Sequence, residues 1–351
     1  MKKMKIKSKN REKIYKVKKY SKHFLEKAEM NYLQEQEKTV EVQKNVTVYN
    51  CKCLDWLKKD NETKIHLTFL DPPFNQGKEY KYFDDSLPDA EYWNFMEKVL
   101  SRVYDKTVDG GAVYFMQREK NTESVLESLR KSGWTFQNLI IWKKKTSAVP
   151  CSNKFGKQYQ VIAFATKGKK TRVFNRLRIS PPLPSGYKYE RENGLYITDV
   201  WDDIRELTSG YFAGDEAIKK ADGTRFHKQQ SPLALLLRII LSSTNVDDVV
   251  LDPFAGTGTT LVVASQLNRK AIGIEVDPEN VKCIENRLKT IKKSDDIEKY
   301  YKNYKYTKDL NKIWGTEIET EQERGVWKKN KKKLVTKKQK TLPVLSVKKQ
   351  N

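Results

Sequence analysis

Six short runs of branched and aromatic residues punctuate the chain, at Ile65 to Leu70, Ala112 to Met116, Leu139 to Trp142, Val161 to Ala165, Val249 to Leu251 and Ala271 to Ile274. Most are continuously apolar rather than alternating, which predicts strands buried on both faces of a parallel sheet. Between them, apolar residues recur every three to four positions at Ala90 to Tyr104, Thr122 to Lys131, Pro232 to Ser242, Thr259 to Leu267 and Pro278 to Leu288, the spacing of helices with one buried face. Alternating strand and helix predicts an α/β protein, a Rossmann-like doubly wound sheet, mostly parallel, with helices on both faces. Ligands of such sheets bind beyond the carboxyl ends of the strands, so chemistry is expected there.

Two strand ends are chemically unusual. After Val249 to Leu251 come Asp252, Pro253, Phe254, Ala255, Gly256, Thr257, Gly258, Thr259 and Thr260, and then a helix. The glycines allow a tight turn and a close ligand approach, and the helix N-terminus presents free N–H groups. The next strand ends at Ile274, followed by Glu275 and Asp277, acids placed to hold a ribose hydroxyl pair. Strand, glycine turn, helix, strand and acid make a nucleoside-binding unit. It departs from the dinucleotide fingerprint, since Leu261 stands where the third glycine would be. A valine at Gly258 is expected to enter the ligand's space.

After Ile65 to Leu70 comes Asp71-Pro72-Pro73-Phe74-Asn75. The prolines fix φ and delete two donors, so their carbonyls are expected to lack internal partners. An acid, a fixed carbonyl and an aromatic ring suit a planar base with an exocyclic amine. Asp71 and the Pro72 carbonyl accept its two N–H bonds, and Phe74 stacks on the ring. Taken alone, D-P-P also reads as an ordinary turn.

Charge adds a partner. The 351 residues carry a formal net charge of +24, which for a soluble chain points to a polyanion, nucleic acid first. Residues 1–23 carry +10 and residues 324–351 carry +11, leaving +3 for everything between. Within that balanced centre, Lys167, Lys169, Lys170, Arg172, Arg176, Arg178, Lys188 and Arg191 face Glu190 alone, and Pro181, Pro182, Pro184 and Gly186 predict a loop. No apolar run is long enough to span a membrane, and the lysine-rich start is not followed by a signal-peptide core, so a cytoplasmic protein with no membrane partner is expected. Cys51, Cys53, Cys151 and Cys283 lack paired C-x2-C spacing, so no metal site is expected and they read as free buried thiols.

The joint occurrence of the two strand ends resembles the amino-group DNA methyltransferases, a family with a D-P-P-Y/F/W catalytic motif and an F-x-G-x-G donor motif. The catalytic motif comes first here, the order of the family's β group, a circular permutation. The resemblance runs from Val46 to about Leu288. Gly110-Gly111, Ile141-Trp142-Lys143, Asp199-Val200-Trp201 and His227-Lys228-Gln229-Gln230-Ser231-Pro232 are also similar to family features. Ser231 departs from the lysine common at its place, and Cys51-Lys52-Cys53 stands where a G-D pair precedes a cysteine, with Asp55 the nearby acid.

The resemblance implies methyl transfer from S-adenosylmethionine to adenine N6 in double-stranded DNA, within a restriction-modification system that includes a cognate restriction endonuclease. Cytosine N4 is the alternative, as are an RNA methyltransferase of related fold and a nucleic-acid-binding protein without catalysis. It assigns catalysis to Asp71, Pro72, Pro73 and Phe74. Cofactor binding falls to His227, Ser231, Asp252, Phe254, Ala255, Gly256, Thr257, Gly258, Thr259, Glu275 and Asp277. DNA contact falls to Lys169, Lys170, Arg172, Arg176 and Arg178. The implied organisation is a basic extension over 1–45, a catalytic half over 46–166, a target-recognition region over 167–226, a cofactor half over 227–291 and a basic extension over 292–351. The oligomeric state is open.

Overall fold

Every apolar run lies within a strand, and every 3.6-residue pattern matches a helix to within two residues at its ends. The computed structural model describes residues 38–43 as backbone, and 45–59, 62–78, 80–146, 151–180, 193–207, 215–220, 222–226 and 230–316. The strands are β1 (Lys38–Gln43), β2 (Val46–Asn50), β3 (Ile65–Leu70), β4 (Thr107–Arg118), β5 (Thr135–Lys143), β6 (Tyr159–Thr166), β7 (Arg178–Ile179), β8 (Leu195–Tyr196), β9 (Val200–Trp201), β10 (Val249–Asp252) and β11 (Lys270–Glu275). The helices are α1 (Cys53–Lys59), α2 (Asp89–Lys106), α3 (Thr122–Lys131), α4 (Leu233–Ser243), α5 (Thr259–Gln266), α6 (Pro278–Lys289) and α7 (Leu310–Trp314).

Among the described residues the main sheet has nine strands in the order β1, β2, β11, β10, β3, β4, β6, β5, β9. β2, β11, β10, β3 and β4 run parallel, while β6 is antiparallel to both its neighbours, so β5 again points the way of β3 and β4. The carboxyl ends of β3, β4, β5, β10 and β11 therefore share one edge. β7 and β8 pair separately.

Alternation within the strands sorts the two faces. Val113 and Phe115 of β4 join Ala163 and Ala165 of β6 in a core with Trp56 of α1, Tyr92, Met96, Leu100 and Val103 of α2, and Val125 and Leu129 of α3. Tyr114 points the opposite way, stacks on Phe164 at 4.7 Å and shares a 2.8 Å hydrogen bond with Ser243 of α4. In α2 the buried positions recur at helical spacing, with Asp89 and Glu91 in the first turn and Lys106 in the last favouring its dipole. α4 is apolar nearly all round because both its sides are covered, each buried leucine contributing about 1.5–3 kcal/mol.

Two sequence boundaries shift. Lys38–Gln43, expected within an extension, is a strand paired antiparallel with β2. Residues after 291 stay in the packed body as far as Gly315, because Asp295 and Trp314 are buried and the Arg269 guanidinium donates to the Thr244, Ile313 and Trp314 carbonyls. The thiols are also not uniformly buried: Cys51 and Cys53 are, Cys283 is half-buried, and Cys151 is exposed because it lies in the β5–β6 loop outside the layers. Both lysine-rich ends, His227 and the segment 181–192 with its prolines lie outside the described residues. Among the described residues no helix is long and apolar enough to cross a membrane.

Candidate active site

β3 and β10 lie side by side, Val250 paired with Leu67 and Leu251 with Thr68, so the two unusual strand ends emerge together. Asp71 is half-buried at that edge. Desolvation pushes its carboxyl up to about 7; the nearby Asp252 charge adds to the rise, while a hydrogen bond from Ser231 and the Lys144 and Lys78 ammonium groups oppose it. The Ser231 hydroxyl donates to Asp71 Oδ2 at 2.9 Å, so the residue expected beside the cofactor holds the carboxylate instead.

The expectation of unpartnered proline carbonyls fails at Pro73. The Tyr92 hydroxyl donates to the Pro73 carbonyl at 2.8 Å and is itself held by Gln117 Nε2 at 2.9 Å. Tyr92 and Gln117 are both fully buried, so this is a fixed strut. Pro72 is buried, and Phe74 is 5% exposed.

Past Phe74 the chain is gathered around Asp85. Its buried carboxylate accepts from the backbone N–H of Asn75 at 2.6 Å, Gln76 at 3.0 Å and Lys78 at 3.1 Å, and its carbonyl from Gly77 at 2.6 Å. Asn75, at φ 53°, tolerates the left-handed region and anchors its side chain to the Leu87 carbonyl at 2.8 Å. The D-P-P-F loop is thus preset by buried hydrogen bonds rather than by the prolines alone.

The second strand end is equally tied. Asp252, buried and pushed up to about 6 by desolvation, accepts from the Thr260 hydroxyl at 2.5 Å and the Phe254 N–H at 3.1 Å. Gly256 and Gly258 adopt φ 52° and 79°. Their open sides differ. A Cβ on Gly256 would meet nothing nearer than the Phe254 carbonyl at 3.9 Å, whereas on Gly258 it would meet Ile284 of α6 at 2.7 Å. Gly258 therefore faces α6, and a valine there enters the core rather than the ligand's space.

Glu275 accepts from the Gly256 N–H at 2.7 Å and the Asp277 N–H at 2.8 Å, which fixes the turn against β11. Burial pushes its carboxyl up to about 7. Asp277 caps α6, accepting from the Glu279 N–H at 2.9 Å. Asn50, at the end of β2, donates to the Glu275 and Val276 carbonyls. Thr257 and Thr259 are buried and held from below by Arg287, which donates to the Thr257 carbonyl at 2.6 Å and the Thr259 hydroxyl at 3.3 Å while pairing with buried Asp295 at 2.7 Å. Ala255 is buried, and half-buried Phe254 meets Phe95 edge-on at 6.3 Å.

The structure places three of the five basic candidates away from this edge. Lys169 and Lys170 follow the end of β6, at the opposite edge from Asp71. Arg172 pairs there with Asp248, which precedes β10. Arg176 and Arg178 stack on Tyr196, 4.2 and 4.4 Å from its ring centroid. Among the described residues, Lys144 and Lys78 stand near enough to Asp71 to oppose the rise of its carboxyl. Lys144 follows β5, sits 3.6 Å from the centroid of the Trp142 ring, and is brought down to about 8 by burial.

Sequence reasoning missed Tyr92, Gln117, Asp85, Lys144, Arg287 and the Ser231–Asp71 bond. Only Arg287 carried a signal, a charge on the α6 face otherwise made by Val281, Ile284 and Leu288.

Comparison with known proteins follows the same outline. The family model described as DNA methylase matches residues 65–286. The DNA adenine methyltransferase YhdJ of Escherichia coli (strain K12) is 30% identical over 261 residues, covering 69% of this chain and 82% of its own. The type II methyltransferase M.HpaI of Haemophilus parainfluenzae is 30% identical over 233 residues, covering 66% and 70%. Among solved structures, the PvuII DNA methyltransferase (cytosine-N4-specific) superposes with a TM-score of 0.53 at 19% identity, over 78% of this chain and 94% of its own, a likeness of fold.

Proposed function

The chain belongs to the DNA methylase family of amino-group DNA methyltransferases, and on that premise we propose that it methylates adenine N6 at a specific sequence in double-stranded DNA, with S-adenosylmethionine as methyl donor. The observation that carries the reading is the pairing of β3 with β10, which sets the D-P-P-F carboxylate beside the glycine turn. Adenine is favoured by Asp71 in place of the serine more usual in cytosine enzymes, and by the adenine specificity in the name of YhdJ. The D-P-P-F segment precedes the glycine turn, as in the β group. The type II relative supports a restriction-modification role alongside a cognate endonuclease in the cytoplasm.

The residues present fit the donor. Gly256 leaves open space over the turn, α5 begins just beyond it, and Glu275 keeps lone pairs for ribose hydroxyls beyond its two backbone bonds. Phe254 to Thr259 and Glu275 would hold the nucleoside. When bound, S-adenosylmethionine supplies an electrophilic methyl group on a sulfonium.

The chain's own residues do the rest. An amine inside a duplex is out of reach, so the base turns out of the stack, at a few kcal/mol. Asp71, oriented by Ser231, would accept one amine N–H and the Pro72 carbonyl the other, leaving the nitrogen lone pair free to take the methyl group and displace the sulfonium sulfur as a neutral thioether; the surplus N–H proton would pass to the Asp71 carboxylate. Phe74 closes the pocket against the base. The neighbouring Lys144 and Lys78 charges favour the ionised carboxylate this requires.

Incubation with labelled donor and duplex DNA, then digestion to nucleosides, is expected to give N6-methyladenine. N4-methylcytosine would reassign the base, and label found only on RNA would overturn the proposal. Asp71→Ala is expected to keep donor binding by calorimetry and to lower turnover by a factor on the order of 10² to 10³.

A further inference from the structure

Apart from Lys144, the β5–β6 loop is not used by the chemistry above. It leaves β5 at the edge that carries Asp71 and returns into β6. From Lys143 to Tyr159 it holds Lys143, Lys144, Lys145, Lys154 and Lys157 and no acidic residue. Its stem is fixed. The Lys144 N–H donates to the Gln158 carbonyl at 2.7 Å, Glu206 accepts from the Lys145 and Thr146 N–H groups at 2.8 and 2.9 Å, and Lys157 pairs with Glu119 at 2.7 Å. Beyond that stem Phe155 is 98% exposed, between Lys154 and Gly156, and Tyr159 at the loop's end is 41% exposed. A solitary exposed aromatic is ordinary. A nearly bare phenyl ring on an anchored, wholly basic loop, at the edge where the base must leave its duplex, is not.

Turning a base out leaves a gap whose flanking pairs have lost stacking, and apolar side chains inserted between base steps are a recurring remedy. We infer that Phe155 is the wedge that fills this gap, carried on a lysine-rich loop that rides on the phosphate backbone; the inference rests on the DNA-methylation reading above. The partner is duplex DNA, because the exposed Lys143, Lys145 and Lys154 match phosphates and the ring matches a base-sized hole.

The test compares wild type with Phe155→Ala and Phe155→Trp on a duplex carrying the methylated sequence, on the same duplex with an abasic site opposite the target base, and on the single strand. Phe155→Ala is expected to lower kcat/KM on the intact duplex roughly ten- to hundredfold, as removal of one stacking partner would. Its deficit should shrink to within about threefold on the other two substrates, where the base is already released. Phe155→Trp should stay near wild type. An unchanged rate on the intact duplex, or an equal loss on all three DNAs, overturns the wedge. So does a loss of self-association with no dependence on substrate, which would make Phe155 a contact between copies. Label on DNA from wild type with an unaffected Phe155→Ala sinks the wedge alone, whereas no label from wild type on any DNA sinks the methylation reading with it.

Discussion

The proposed reaction needs Asp71 as a carboxylate, yet burial pushes it up to about 7. The rate of methyl transfer is therefore expected to fall as pH drops through about 7, with Ser231→Ala moving that limb to higher pH because the hydroxyl bond favours the ionised form. A kcat/KM profile from about pH 5 to 9 on both proteins measures it; coincident limbs would show that Ser231 does not tune Asp71. The sign for stability is opposite. A carboxyl raised in the folded state stabilises the fold below its unfolded value near 3.8, and that contribution is lost as pH rises through about 7, so Asp71→Asn should melt higher than wild type at about pH 8 and lose the advantage toward about pH 4. The glycines separate in the same way. Gly258→Val, driven against Ile284, should lower the melting temperature with or without donor, while Gly256→Ala should largely keep the fold and lose donor affinity by calorimetry. At this scale Asp71 and the glycine turn stood out because residue type and local spacing mark them, although Gly258 faces Ile284 rather than a ligand. Asp85 and the Ser231–Asp71 bond did not, since each joins separate segments, and Ser231 to Asp71 spans a large part of the chain.

α6 shows what an element contributes beyond its own residues. Its N-terminus is capped by Asp277, its apolar face holds Ile284 against Gly258, and Arg287 reaches from the same face to the glycine turn. Because Arg287 and Asp295 are both buried, removing either charge leaves the other uncompensated. Arg287→Met and Asp295→Leu should each cost about 3–5 kcal/mol in denaturant titrations, and the double variant less than the sum. The single variants should also weaken donor binding; additive costs would show that the two do not act as a pair. Helices α2 to α6 and strands β3 to β6, β10 and β11 were legible from apolar periodicity because their burial is local and continuous, whereas the short α1, α7 and β2 were not read. β7, β8 and β9, two residues each, have no period to read, and β1 owes its place to the neighbouring β2.

For the whole molecule, +21 of the +24 charge lies in the lysine-rich ends. Trimming residues 1–23 and 324–351 should flatten the salt dependence of DNA binding by about 0.9 of slope for each phosphate no longer neutralised, and leave the methylated sequence unchanged in genome-wide methylation mapping. An altered target sequence would give those ends a part in reading bases. The sheet itself sets a further consequence, one of time. β3, which carries Asp71, comes early in the chain, but its neighbour β10, which carries the glycine turn, and β11, which carries Glu275, come late. During synthesis from the N-terminus, the catalytic loop must wait for these distant strands before its pocket can close, a non-local pairing of the kind that slows folding. On the proposed assignment, a growing chain thus carries the Asp71 carboxylate with no seat for the donor beside it, and the ability to modify DNA arrives late, only once β10 and β11 have been made and have paired.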